Sequence, residues 1–167
     1  LVNGYRHMTL IRTFDKKAVN LQRTGKLGTY ASCLGAEAIA TAGGMALQDD
    51  DVFVPYYRDH ATQYLRGVPL HLILQYWGGD ERGNAFPADT PAARDLPNCV
   101  PIASQLTQAA GIATKAKLDH AKAAVLATCG DGATSRGDFH EALNVAGVWQ
   151  LPLVVMVNNN QWAISVP

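Results

Sequence analysis

Two short apolar runs near the end of the chain lack polar alternation: Ala123-Ala124-Val125-Leu126-Ala127-Thr128-Cys129 and Leu153-Val154-Val155-Met156-Val157. Such runs predict strands buried on both faces of a parallel sheet, and the second is rich in β-branched residues that suit a strand. Between them, Phe139, Ala142, Leu143, Ala146 and Val148 fall close to helical spacing within Asp138 to Trp149. Asp138 lies near the start of that segment, where its charge suits the helix dipole. Gly147 weakens the helix signal without cancelling it, and Leu151-Pro152 ends it. The order is therefore strand, loop, helix, strand. Such a crossover is right-handed in nearly all proteins and places both loops at the carboxyl edge of the sheet.

Upstream, Met8, Ile11, Phe14, Ala18 and Leu21 give helical spacing over Tyr5 to Arg23, with Gly25 and Gly28 as stop signals. Gly35 to Leu47 predicts a small-residue helix built on Ala36, Ala38, Ala40 and Ala42. Val52-Phe53-Val54 predicts a short strand leading into Tyr57-Arg58. Pro69 is placed as the first residue of a helix running to Trp77. Residues 78 to 101 are rich in Gly, Pro, Asp and Asn and carry no apolar period, which predicts a long functional or partner-bound loop. Gln105 to Leu118 then reads as a helix with Leu106, Ala109, Ala110, Ile112 and Ala113 inside. The fold class expected is α/β, a parallel sheet flanked by helices, as one domain over residues 1–167 without internal repeats.

Chemistry concentrates at the ends of the two apolar runs, in Gly130-Asp131-Gly132 and Asn158-Asn159-Asn160. A carboxylate and an amide, each following a strand with one helix between, can converge on one cation. Magnesium takes hard oxygen ligands, few of them from protein, with phosphates and water completing its shell. Asp131, the Asn160 amide oxygen and a nearby backbone carbonyl suit it. Gly132 and Ala133 are small enough for their backbone N–H groups to approach a diphosphate closely. Either tripeptide alone is an ordinary turn. Both together, in this order between two buried strands, are far more specific.

Composition narrows the function classes. The 167 residues are 48% hydrophobic and 17% charged, enough for a sizeable core, and the formal net charge is zero. No broad attraction to nucleic acid or to an anionic membrane is expected. Cys33, Cys99 and Cys129 form no metal-ligand pair and read as reduced, intracellular residues. No apolar stretch is long enough to span a membrane, and Leu1 does not begin a secretory signal.

The segment GDGATSRGDFHEALNVAGVWQLPLVVMVNNNQWAISVP resembles the thiamine-diphosphate motif in the form used by alpha subunits of 2-oxo acid dehydrogenases. LGTYASCLGAEA, PYYRDH followed by RGVPL, YWGGDERGNAF and VPIASQLTQAAG are similar to segments of that family in the family's order. The resemblance covers essentially the whole chain and implies part of a thiamine-diphosphate-binding fold. It implies that Asp131 and Asn160 bind magnesium through their side chains and Trp162 through its carbonyl. Gly132 and Ala133 amides would face the diphosphate, Tyr57 and Arg58 would reach its oxygens, and the backbone at Val100 and Ile102 would meet the aminopyrimidine ring. Arg suits that task because its planar fork bonds two oxygens.

The cofactors implied are thiamine diphosphate and magnesium, and the reaction is decarboxylation of a 2-oxo acid with transfer of the acyl group to a lipoyl group. Overall likeness favours the pyruvate-acting members. A branched-chain 2-oxo acid or acetoin as substrate, and a non-catalytic interaction module of the same fold, are the alternatives. The implied partners are a beta subunit in a heterotetramer of two alpha and two beta chains, and a lipoyl-bearing acyltransferase core. The cofactor-activating glutamate is expected on the beta subunit, so Glu37 reads as a capping or packing residue. His60 is the one catalytic candidate, with a role behind the substrate-contacting residues favoured. His140 is expected to be packed, and His7, His71 and His120 to be at the surface. Tyr30 and Ser32 match the family's substrate entrance, their roles open. Against the family, the chain reads as a fragment of a subunit about twice as long, exposing apolar surface that the whole subunit buries. The expected compartment is the bacterial cytoplasm, or the mitochondrial matrix if eukaryotic.

Overall fold

A computed structural model describes residues 1–164 and Val166 and divides the chain into two compact units. The first comprises Leu1–Leu47 and Arg58–Ala93, and the second Gln48–Tyr57 and Arg94–Pro167.

The first unit is helical. Helix α1 (Val2–Arg23) buries Ile11, Phe14, Asp15 and Ala18, the spacing of a single stripe. Helix α2 (Glu37–Ala46) and helix α3 (His60–Leu65) pack closely because α2 offers small residues. A Cβ on Gly44 would come within 3.1 Å of the Thr62 Cα, and the Thr62 hydroxyl donates to the Ala40 carbonyl at 2.7 Å. Ile11, Cys33, Ala40 and Ala61 form the centre of this packing, with Tyr64 and Leu70 against it. Helix α4 (Leu70–Trp77) begins one residue later than the sequence predicts: Pro69 is its extended N-cap, with ψ of 139°. The missing proline N–H costs nothing there. Helix α3 is not predicted from the sequence, since six residues are too few to show a period.

The second unit carries the sheet. Strands β1 (Val52–Val54), β2 (Val125–Gly130) and β3 (Leu153–Asn158) lie parallel in the order β1-β2-β3. Val125 pairs with Val52 on one side and Leu153 on the other, and the β2–β3 ladder runs on to Gly130 opposite Asn158. Helix α5 (Ser104–Leu118) and helix α6 (Gly137–Val148) lie over the face that bears Val125, Ala127 and Cys129. Ala109, Ala110 and Ala113 of α5, with Ala142 and Ala146 of α6, fill that layer. Alanines let helices approach closely but leave little tolerance for larger side chains.

The edge of β1 is covered by chain: the Phe53 N–H donates to Asp95 Oδ1 at 2.8 Å, and the Leu96 N–H donates to the Phe53 carbonyl at 2.9 Å. The expected burial on both faces holds for β2 but not for β3, whose Val154 is 58% exposed. Among the described residues β3 is a sheet edge, and no strand pairs beyond it. Residues 78–101 do not form one irregular loop. They include two 3-10 turns, Glu81–Asn84 and Pro91–Arg94, the first of them capped by Asp80 Oδ1, which accepts the Arg82 N–H at 3.0 Å. Such local caps leave no apolar period to read.

Gly83 is closely packed: an added Cβ would lie 2.3 Å from the Tyr76 nitrogen and 2.6 Å from the Leu72 carbonyl oxygen. Because backbone atoms cannot swing aside, Gly83→Ala should destabilise the protein by about 1–3 kcal/mol. Gly111→Ala, in a helix with open space around it, should be neutral or stabilising by up to about 1 kcal/mol. Urea unfolding midpoints of the two variants check this, and equal effects would contradict the packing described.

Candidate functional site

Adjacent parallel strands end at one level, so the chain leaving β2 at Gly130 and the chain leaving β3 at Asn158 start side by side. Asp131 opens a 3-10 helix over Asp131–Ser135, tied by Thr134 Oγ1 to the Asp131 carbonyl at 2.7 Å and by Ser135 Oγ to the Gly132 carbonyl at 3.0 Å. After β3 the chain bends through two side-chain turns. Asn159 Oδ1 accepts the Gln161 N–H and Asn160 Oδ1 accepts the Trp162 N–H, both at 2.9 Å. This bend brings Ala163 back to the β2 loop, where a Cβ on Gly132 would lie 3.0 Å from the Ala163 Cβ. Any larger residue at 132 would therefore push the two loops apart. The structure thus brings Asp131, Gly132 and Ala133 together with the loop that carries Asn160 and Trp162. Ala133 is buried, Asp131 and Gly132 are half-buried, and Asn160 and Trp162 are exposed.

The other expected residues of this unit are anchored around β2. After Val54, Pro55 has no N–H to continue a ladder, and the Tyr56 N–H turns to Thr128 Oγ1 at 3.0 Å. The Tyr56 hydroxyl accepts from Asn158 Nδ2 at 2.8 Å, and its ring lies 5.3 Å from that of the half-buried Tyr57. Tyr56 also bridges Cys99, just before the Val100–Ile102 segment. Val100 and Ile102 are both partly open to solvent. The segment ends at Ala103, buried and left-handed at φ 70°, and Gln105 Nε2 then donates to the Thr128 carbonyl at 2.7 Å. Sequence reasoning misses Tyr56, Thr128, Asn158 and Gln105. The one signal for them is a lone hydroxyl, Thr128, inside an apolar run.

Arg58 and His60 belong to the first unit. The Arg58 guanidinium donates to the Ser32 carbonyl through Nη1. The Ser32 segment is organised in turn by Asp15 of α1, whose carboxylate accepts from Ser32 Oγ at 2.8 Å, the Tyr30 hydroxyl at 2.9 Å and the Cys33 N–H at 2.8 Å. Burial alone would raise the pKa of Asp15, but these bonds outweigh it and hold the carboxyl below its ordinary range. Burial raises Tyr30 and Cys33, with the neighbouring Asp15 charge adding to it in both. A charged residue inside the apolar stripe of α1 is the sequence signal for this network.

His60 is fully buried, stacked on Tyr30 with ring centroids 5.4 Å apart and edge-on to Phe14 at 6.0 Å. Glu37, also buried, pairs with Arg12 and accepts the Gly35 N–H at 2.9 Å. The Arg12 hydrogen bond holds its carboxyl below the ordinary range. His140, expected to be packed, is exposed, because α6 turns Ala142 and Ala146 inward and leaves His140 outside the stripe they form. His71 and His120 are exposed, and His7 is half-buried beside Tyr64.

The donor set suits a hard cation. Asp131 offers a carboxylate, Asn160 an amide oxygen with a second lone pair beyond that used by Trp162, and Trp162 a carbonyl. Among the described residues no three His, Cys, Asp or Glu side chains gather in one place, so a site here draws on amide and carbonyl oxygens. The small side chains at 132 and 133 let an anion come close to the backbone N–H groups.

A parallel α/β unit that presents such oxygens and amides at neighbouring strand ends is of the class that binds ligands at the carboxyl edge of its sheet. Comparison with known proteins places it further: residues 5–167 match the dehydrogenase E1 component family, and the chain belongs to that family. It is 38% identical over 167 residues to the pyruvate dehydrogenase E1 component subunit alpha of Acholeplasma laidlawii, covering 100% of this chain and 48% of that one. To the subunit of the same name from Bacillus subtilis (strain 168) it is 38% identical over 162 residues, 97% of this chain and 43% of that one. To the 3-methyl-2-oxobutanoate dehydrogenase subunit alpha of Mycobacterium tuberculosis (strain ATCC 25618 / H37Rv) it is 39% identical over 163 residues, 98% and 44% of the two chains. The chain thus spans about half the length of these relatives. Among the described residues no helix is long and apolar enough to cross a membrane.

Burial pulls the His60 pKa from 6.5 down to about 4, so the folded chain refuses a proton that the unfolded chain accepts below pH 6.5. Stability should therefore fall as pH drops from 6.5 towards 4, with a slope approaching ~1.4 kcal/mol per pH unit from this residue. His60→Phe should flatten the profile in that window. Urea unfolding at several pH values measures both slopes, and parallel profiles would rule out His60 as the cause.

Proposed function

We propose that this chain forms the cofactor-anchoring half of a thiamine-diphosphate-dependent 2-oxo acid dehydrogenase that acts on pyruvate and works with a beta subunit. The observation that carries the reading is the contact of the Gly132 loop with Ala163, which sets Asp131 and Asn160 on two adjoining loops at the sheet's carboxyl edge. Family membership supports it. In this reading Asp131, Asn160 and the Trp162 carbonyl hold magnesium, and the Gly132 and Ala133 amides take the diphosphate. Tyr57 and Arg58 reach phosphate oxygens, and the backbone at Val100 and Ile102 takes the aminopyrimidine.

When bound, thiamine diphosphate supplies the carbanion chemistry by which a 2-oxo acid loses carbon dioxide and yields its acyl group to a lipoyl group. The residues of this chain bind and orient. Asp131 contributes the negative charge that the dication needs beside the phosphates. The Ser32 carbonyl, itself fixed by the Asp15 network, holds the Arg58 guanidinium in one direction. Binding the diphosphate and its metal orients the cofactor, and orientation of that kind can account for several kcal/mol of a reaction barrier. His60, neutral and enclosed, supports Tyr30 and the loop around it and does not exchange protons with the substrate. Glu37 is engaged by Arg12 and Gly35, which supports placing the cofactor-activating glutamate on the beta subunit. The complete assembly in this reading is two alpha and two beta chains serving a lipoyl-bearing acyltransferase, and the bacterial relatives support a cytoplasmic setting.

A branched-chain 2-oxo acid is the second reading, favoured by the similar identity to the 3-methyl-2-oxobutanoate relative. In the full-length protein with its beta partner, Asp131→Ala should abolish magnesium-dependent binding of thiamine diphosphate by calorimetry. Unchanged affinity would remove Asp131 from the site. Assays of the same complex with pyruvate, 3-methyl-2-oxobutanoate and acetoin decide the substrate, with the highest kcat/KM expected for pyruvate.

A further inference from the structure

Four segments of the second unit carry ligands assigned above: Tyr57 after β1, Val100–Ile102 before α5, Asp131–Ala133 after β2 and Asn160–Trp162 after β3. Behind them runs one continuous polar chain. Gln105 Nε2 donates to the Thr128 carbonyl at 2.7 Å, Thr128 Oγ1 accepts the Tyr56 N–H at 3.0 Å, and the Tyr56 hydroxyl accepts from Asn158 Nδ2 at 2.8 Å. Each member lies beside one ligand segment in sequence: Tyr56 next to Tyr57, Gln105 just past Ile102, Thr128 just before Asp131, and Asn158 just before Asn160.

Backbone pairing joins these segments in two pairs, Tyr56 with Cys99 and Gly130 with Asn158, and the side chains link one pair to the other. The β1 ladder ends at Val54, and Pro55 cannot extend it, so past that point the Tyr56 N–H meets β2 at the Thr128 hydroxyl. Valine would fit at position 128 by shape, but only a hydroxyl supplies the acceptor. Gln105, Thr128 and Tyr56 are all buried, where hydrogen bonds are stronger than in water and unmet polar groups are costly. Such a network holds one arrangement and penalises its neighbours.

We propose that Tyr56, Thr128, Asn158 and Gln105 are positioning residues that set the mutual spacing of the four ligand segments, so that affinity for thiamine diphosphate and magnesium depends on the Tyr56–Asn158 hydrogen bond. The proposal rests on the functional reading above. It extends the site to residues that touch no ligand.

The test uses the full-length chain with its beta partner and measures thiamine diphosphate affinity by calorimetry, the magnesium concentration for half-saturation, and thermal stability of the cofactor-free complex. Tyr56→Phe and Asn158→Ala should each weaken cofactor binding about 5-fold and raise the magnesium requirement, the size expected for one hydrogen bond. The double variant should be no worse than the weaker-binding single one, because both remove the same bond. The melting temperature of Tyr56→Phe should stay within about 3 °C of the parent. Thr128→Ser, which keeps the oxygen, should retain affinity that Thr128→Val loses. Unchanged affinity in Tyr56→Phe, additive losses in the double variant, or Thr128→Ser as damaging as Thr128→Val would each overturn the proposal. If Asp131→Ala measured alongside binds cofactor normally, the functional reading fails first; if it does not bind while Tyr56→Phe is normal, the positioning role alone fails.

Discussion

Parallel pairing of β2 with a strand on each side is the constraint from which the rest of the second unit follows. Val125, Leu126 and Ala127 lie between two ladders and their side chains are buried, so the strand cannot slip without exposing its apolar set to water. Its register puts Gly130 opposite Asn158. A shift of even one residue would carry the Asp131 loop away from the Asn160 loop, and the Gly132 contact with Ala163 would be lost. Because all three strands run the same way, their outgoing loops share one edge, and hard oxygens from separate parts of the chain can meet there.

Small residues make this arrangement possible. Alanines of α5 and α6 let both helices settle close on β2, and the glycine at 132 lets one loop touch the next. Apolar surface is left open at the margin of this layer: Val148, Trp149 and Val154 are each more than half exposed. The sequence predicts such surface. It lies along α6 and the unpaired side of β3, which no further strand covers among the described residues.

Polar groups in both units are stabilised by being engaged. Asp15 stays ionised inside the first unit because three donors meet it, and it thereby orders the Tyr30–Cys33 segment and, through the Ser32 carbonyl, the Arg58 side chain. Thr128 has the corresponding role in the second unit, its hydroxyl accepting from one segment and its carbonyl from another. In each case one buried residue ties together segments that are far apart in sequence.

The sequence by itself determined the strand–helix–strand order at the end of the chain, the bounds of Val52–Val54, the long helices, and the pairing of a carboxylate loop with an amide loop. These follow from side-chain period and local turn chemistry, which act within a few residues. Only the tertiary structure decided which strand is enclosed. Apolar runs look alike in a central and an edge strand, and pairing alone showed Val125–Gly130 flanked on both sides and Leu153–Asn158 on one. The partners of Asp15 and Thr128 were equally illegible, because they lie 15 to 72 residues away and a buried hydrogen bond leaves no local period. The same reason hid the tie between Tyr56 and Asn158, 102 residues apart, which exists only once three strands have closed into one sheet.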